Sequence, residues 1–151
     1  MQAVKIKEGI YWVGVKDWEL REFHGYSTDK GSTYNAYLIV DEKITLIDGV
    51  KAPFRDIFLA RIASVVDVEK IDTVICNHVE MDHSGTLPDV MQIAKNATLY
   101  CPAAGERVLK AHYDTAGWNI KNVKTGDTLS IGKHTLSFVT MPMVHWPDSM
   151  M

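Results

Sequence analysis

The sequence predicts a mixed α/β (α+β) domain, a sheet with helices on its outer side. Three features predict it. Runs of β-branched and aromatic residues crowd the first third of the chain, apolar strands and helices then alternate, and strand-like runs separated by glycine turns close it. The 151 residues are 46% hydrophobic and 23% charged. A chain of that size buries roughly 68–70% of its unfolded surface, enough for one core.

The elements follow in order. Ile10 to Val15 is β-branched and aromatic, hence a strand, and Thr33 to Val40 is another. Asp41-Glu42 makes a hairpin turn into a partner strand, Ile44 to Asp48. Ala52-Pro53 opens a helix, because proline at the first helical position loses no hydrogen bond. Phe54, Ile57, Phe58, Ile62, Val65 and Val66 give that helix one buried face. Thr73 to Cys76 is a short apolar strand, Pro88 to Lys95 a helix, Thr98 to Tyr100 extended, and Pro102 to Tyr113 a helix. Trp118 to Val123, Thr128 to Ile131 and Thr135 to Met141 are strands, with turns at Gly126-Asp127 and Gly132-Lys133.

Several function classes fall away. The net charge of −3 opposes general nucleic-acid binding and a basic membrane-surface helix. No stretch reaches the ~18 apolar residues of a spanning helix. The first residues lack the apolar core of a signal peptide, so the expected location is cytoplasmic. No glycine-rich loop follows the first strand, which opposes a doubly wound nucleotide fold. Cys76 and Cys101 form no CxxC and read as two buried thiols; a disulfide or metal pair is the alternative.

One segment stands apart: Asn77-His78-Val79-Glu80-Met81-Asp82-His83-Ser84-Gly85. Four possible metal ligands follow directly on a buried strand. In an extended stretch alternate residues point the same way, so His78, Glu80 and Asp82 share a side, with His83 at a helix start. The bland alternative is a polar turn of solvated side chains. A cation resolves the crowding, because it takes neutral imidazole nitrogen and carboxylate oxygen directly. Adjacent positions cannot all reach one ion, so two ions fit better than one. His145, in Met143-Val144-His145-Trp146-Pro147-Asp148, is the fifth candidate. Asp48 is either a turn cap or an acceptor that orients the ligand loop. His24 lines a pocket or sits on a surface loop, and His112 and His134 read as structural or exposed. Met150-Met151 suggests no function.

Zinc hydrolysis and iron redox chemistry both remain open on these residues. Glu80 stands where zinc would prefer a further histidine, and added anionic oxygen favours iron or manganese.

The pattern His78-x-Glu80-x-Asp82-His83, with Leu46-Ile47-Asp48 before it and His145-Trp146-Pro147-Asp148 after it, resembles the metallo-β-lactamase-like domain of flavodiiron proteins. These are also called A-type flavoproteins and include rubredoxin:oxygen oxidoreductases. Trp18 to Tyr26 and Gly31 to Tyr37 resemble them too. Hydrolases of the wider superfamily usually show His-x-His-x-Asp-His, so Glu80 points to the redox branch.

The resemblance implies an αββα sandwich joined to a flavodoxin-like domain that binds FMN. It implies two non-haem irons that reduce O2 to water, NO to N2O, or both. His78, Glu80 and His145 would ligate one iron, Asp82 and His83 the other. In some members the counterpart of His83 turns away. His24, Tyr26 and Trp146 resemble residues of the substrate pocket. Electrons would come through FMN from rubredoxin or a similar donor, and the complete protein would be a homodimer or homotetramer. The family's bridging aspartate and last histidine ligand would lie beyond Met151. Residues 1–151 therefore read as the N-terminal portion of the diiron domain, expected to be inactive alone. The competing expectations are a zinc-dependent hydrolase of the same superfamily and a non-catalytic remnant.

Overall fold

The computed structural model describes residues 1–151. Strands β1 (Val4–Lys7), β2 (Ile10–Trp12), β3 (Val15–Asp17), β4 (Glu22–Phe23), β5 (Tyr26–Ser27), β6 (Ser32–Tyr34), β7 (Tyr37–Val40) and β8 (Ile44–Ile47) fill the first third. A 3-10 turn at Ala52–Phe54 leads into α1 (Arg55–Ala63). Then come β9 (Thr73–Ile75), α2 (Met81–Ser84), α3 (Leu87–Ile93), β10 (Thr98–Cys101) and α4 (Ala103–His112). Strands β11 (Asn119–Asn122), β12 (Thr128–Ser130) and β13 (Thr135–Ser137) follow.

The main sheet has seven strands in the order β1-β2-β7-β8-β9-β10-β11. It is mixed: β1, β2, β7 and β8 run antiparallel to their neighbours in turn, whereas β8, β9, β10 and β11 are mutually parallel. Pleating sorts its faces. The cross-strand row Leu46, Val74, Leu99 points into a 21-residue core with Phe58 and Ile62 of α1, Leu87 and Val90 of α3, and Leu109 of α4. The next row, Ile47, Ile75, Tyr100, faces the opposite way and packs with Phe138, Met150, Leu129 and Leu136. The helices thus cover one face, as the sequence predicts, and the β12–β13 hairpin lies over the other.

Two predicted strands are each divided. Ile10 to Val15 breaks at Val13-Gly14, and Thr33 to Val40 breaks at Asn35-Ala36. Both breaks occur together: Val13 N–H donates to Ala36 O at 2.9 Å, and Trp12 Nε1–H to Asn35 Oδ1 at 3.0 Å. The paired chains leave the main sheet there and continue as the separate β3–β6 ribbon. A Cβ at Gly14 would collide with Tyr34 O and the Trp12 ring, so glycine makes the crossing possible. Strand β1 lies outside the predicted strands: Val4-Lys5-Ile6-Lys7 alternates apolar and polar but is only four residues long, and all four are exposed. The helix from Pro53 ends at Ala63, before Val65 and Val66, and the last predicted strand stops at Ser137 instead of Met141.

Candidate metal centre

The parallel strands set the site. Ile47 of β8 pairs with Ile75 of β9, which pairs with Tyr100 of β10, so Asp48 and Cys76 leave the sheet side by side. This is the carboxyl edge of the parallel strands, where open α/β sheets place ligands. Asp48 N–H donates to Ile75 O at 2.8 Å and Cys76 N–H to Tyr100 O at 2.9 Å, which prolongs the ladder by one residue. Beyond it, the segment 77–86 packs against 48–52. Gly49 N–H donates to His83 O at 2.7 Å and Val50 N–H to Thr86 Oγ1 at 3.0 Å. A Cβ at Gly85 would lie 2.6 Å from Met81 O and 2.7 Å from Ala52 N, which explains glycine after His83-Ser84.

The extended reading of the motif holds only through Glu80. Glu80 precedes α2, and Asp82 and His83 lie inside that single helical turn. Ser84 closes the turn: its Oγ–H donates to Val79 O at 2.6 Å. Helical geometry therefore rotates Asp82 away from the face that His78 and Glu80 share, and two donor groups result.

In the first group, His78 Nε2, Glu80 and His145 offer ligand atoms within 4.8 Å of one another. Glu80 Oε2 lies 3.1 Å from His78 Nε2 and 3.4 Å from His145 Nε2. In the second, Asp82 Oδ2 lies 3.5 Å from His83 Nε2. The His78 and His83 rings are 5.3 Å apart, so the groups adjoin. Burial works against a charged His83, but the carboxylates of Asp48, Asp82 and Glu80 outweigh it and raise its pKa.

His145 arrives on a loop, residues 141–149, whose ends are tied. Val139 and Met151 exchange backbone hydrogen bonds at 2.8 and 2.9 Å, and Met141 N–H donates to Ser149 O at 2.8 Å. Met150 N–H donates to Asn77 O at 2.9 Å while its side chain is buried. Met150-Met151, silent in the sequence, anchors the His145 loop to the sheet and to the His78 segment.

The other candidates take distinct places. Asp48 is buried, accepts Asn77 N–H at 2.7 Å and lies 3.3 Å from His83 Nδ1. His24 caps the β4–β5 hairpin with a positive φ of 53°, and its Nε2 is 3.1 Å from Glu80 Oε1. Tyr26, on the same hairpin, is 74% exposed. Trp146 is half-exposed and stands 6.3 Å, ring to ring, from His78. With Val79, Met81, Val108 and His112 it lines a cleft of about 180 Å³ that opens on His78 and Glu80. His134 is remote and pairs with Asp41 at 2.6 Å.

Asp148, which the sequence pattern His145-Trp146-Pro147-Asp148 includes without a role, takes one here. It is buried, accepts Val79 N–H at 2.7 Å, and lies 3.1 Å from His78 Nδ1. The available signal was an acid three positions after His145 in a short loop. Both cysteines are buried free thiols. Burial pushes Cys101 up to about 12 and Cys76 well above its ordinary value.

The donor chemistry fits metal. Asp82 Oδ1 is buried without any hydrogen-bond partner, an arrangement proteins rarely leave unexplained. Glu80 faces three imidazoles, those of His24, His78 and His145. Neutral imidazole and carboxylate are the ligand types a transition-metal ion takes directly.

Residues 33–151 match the family described as ODP family beta lactamase. The chain belongs to that family, a mixed α/β metallo-β-lactamase-like fold. Its relatives are flavodiiron proteins. It is 46% identical to a nitric oxide reductase of Moorella thermoacetica, over 99% of this chain and 38% of that protein. It is 44% identical to the rubredoxin-oxygen oxidoreductase of Megalodesulfovibrio gigas, again over 99% of this chain and 38% of that protein. The crystal structure of the flavodiiron protein from Giardia intestinalis superposes with a TM-score of 0.95 at 44% identity, covering 99% of this chain and 37% of that one. The chain thus spans well under half the length of these relatives. No helix is long and apolar enough to cross a membrane.

Proposed function

We propose that residues 1–151 form the N-terminal portion of a metallo-β-lactamase-like diiron domain. In the native-length protein this domain reduces O2 to water, NO to N2O, or both, with electrons delivered through FMN. One observation carries the reading: a His78–Glu80–His145 donor group adjoins an Asp82–His83 pair whose buried Asp82 Oδ1 has no partner. The naming of relatives as nitric oxide reductase and rubredoxin-oxygen oxidoreductase supports it. His78, Glu80 and His145 hold one iron in this reading, and Asp82 and His83 the other. Two non-haem irons held by these residues would supply electrons and open coordination positions for O2 or NO.

The chain's own residues supply placement and protons. Asp48 Oδ2 accepts from His83 Nδ1–H and so turns Nε2 toward Asp82. His24 Nε2 lies 3.1 Å from Glu80 Oε1 and closes the open side of the group. Tyr26 and Trp146 rim that side. In this reading FMN would be held outside residues 1–151, and rubredoxin or a similar protein would be the electron donor. Two buried free thiols agree with a reducing compartment such as the cytoplasm. In this reading the native-length protein is a homodimer or homotetramer.

The test is metal content and gas uptake by the native-length protein. Two irons per chain and consumption of O2 or NO are expected. Glu80→Ala and Asp82→Ala should each abolish uptake while FMN stays bound. Uptake retained in either variant overturns the assignment. Zinc with ester, lactam or thioester cleavage would place the protein among the hydrolases instead.

A further inference from the structure

We infer that Asp148 is a positioning residue: its buried carboxylate holds His78 as the Nδ1–H tautomer, directs the Nε2 lone pair at the metal position, and locks the two ligand loops together. The inference rests on the diiron reading above and adds a residue to it.

The geometry leaves Asp148 little choice. It is 3% exposed, and its Oδ2 already accepts Val79 N–H at 2.7 Å. The same oxygen lies 3.1 Å from His78 Nδ1. An ionised carboxylate has no proton to give, so the proton on that contact belongs to Nδ1. A neutral imidazole carries one proton, which leaves Nε2 with a lone pair. Nε2 lies 3.1 Å from Glu80 Oε2, so an imidazole nitrogen and a carboxylate oxygen converge on the position a cation would take. Asp148 therefore prepares His78 to be a ligand before any ion arrives.

Asp48 makes the same contacts one loop away, taking Asn77 N–H at 2.7 Å and facing His83 Nδ1 at 3.3 Å. Two buried aspartates from distant parts of the chain thus grip the N–H groups on either side of His78, and each faces the Nδ1 of a different histidine. Asp148 has a second consequence. It belongs to the His145 loop, and Met150 N–H from the same segment donates to Asn77 O at 2.9 Å. The separation of His78 from His145 is therefore set by contacts through Asp148 and the following backbone. A carboxylate on the distal nitrogen of a ligating histidine also makes that ligand more basic.

The test uses the native-length protein in two arms. In the metal-free wild type, two-bond proton–nitrogen NMR of the imidazoles should show His78 protonated at Nδ1. In Asp148→Asn, cobalt titration should show roughly a tenfold to hundredfold loss of affinity at one of two sites, with far-UV circular dichroism unchanged. The midpoint potential of the loaded iron should rise, because a neutral amide leaves His78 less basic. A purely structural role would move neither tautomer nor potential. A His78 protonated at Nε2 and bare at Nδ1 in the wild type overturns the inference, as does unchanged affinity and potential in a folded Asp148→Asn. Should that variant fail to fold, the wild-type tautomer decides. Should the wild type bind no metal at all, the diiron reading fails and takes this inference with it. That result is distinct, since it needs no substitution.

Discussion

Replacing Asp48 separates two roles that meet in one residue. Asp48 has φ = 57°, is buried, and accepts Asn77 N–H at 2.7 Å. Asp48→Ala removes the acceptor and leaves a half-buried N–H without a partner, about 1–2 kcal/mol. It also forces a Cβ without local polar compensation into the left-handed region, about 1–2 kcal/mol more. The sum is about 2–4 kcal/mol. At about 2–4 °C per kcal/mol for a chain of this size, the metal-free protein should melt roughly 4–16 °C lower. Asp48→Gly relieves the backbone but still lacks the acceptor, so it should lose only the hydrogen-bond share, about 1–2 kcal/mol. Asp48→Asn keeps an acceptor oxygen and tolerates the left-handed region, so less than about 1 kcal/mol is expected. The assay is thermal and urea unfolding of metal-free protein. The predicted order of loss is Ala, then Gly, then Asn. Equal losses for Ala and Asn would refute the hydrogen-bond account, and equal losses for Ala and Gly would refute the backbone account.

Three other outcomes are expected. Tyr34→Phe deletes a buried hydroxyl that donates to Asp17 Oδ2 at 2.7 Å, and urea unfolding should show a loss of about 1.5–3 kcal/mol. Burial works against the charge of Asp41, but the His134 imidazole and the backbone N–H groups of Lys133, Glu42 and His134 hold its pKa well below the usual carboxylate range. Because that folded value is depressed, the stabilisation is complete above the unfolded pKa of about 3.9 and is lost as pH falls further. The urea midpoint should therefore drop on acidification below about pH 4, and Asp41→Asn should flatten that drop. Cys76 and Cys101 should resist iodoacetamide in the native protein and react only in denaturant, since both are buried and their thiolates disfavoured; mass spectrometry of the alkylated protein measures this.

Much of the molecule was readable in the chain. Alternating β-branched runs located the central strands, and Pro53 marked the entry to the first helix. The ligand types His78, Glu80, Asp82, His83 and His145 stood out because such residues seldom crowd together behind an apolar strand. Local pattern was enough there, since strand pleat, helix period and ligand chemistry are properties of short segments. It failed where two distant segments decide together. Nothing in Ile10 to Val15 or Thr33 to Val40 alone requires a break; the break comes from Gly14 meeting Tyr34 across the ribbon. Strand β1, Val4-Lys5-Ile6-Lys7, does alternate apolar and polar residues, but four residues at an exposed edge make too short a run to mark a strand by pattern.

The composition of the candidate centre, but not its partition, is a property of the sequence. Spacing alone placed Asp82 beside His78 and Glu80, whereas the turn pinned by Ser84 and the close approach of Gly85 to Ala52 rotate it to His83. Asp148 belongs to the His145-Trp146-Pro147-Asp148 pattern, but only the Val139–Met151 pairing carries it 70 positions back to His78 and gives it a role. The sequence by itself determined which donors exist and which chemistry they favour. Only the tertiary structure decided which donors face one another, because hydrogen bonds between residues far apart in the chain leave no local periodicity to read.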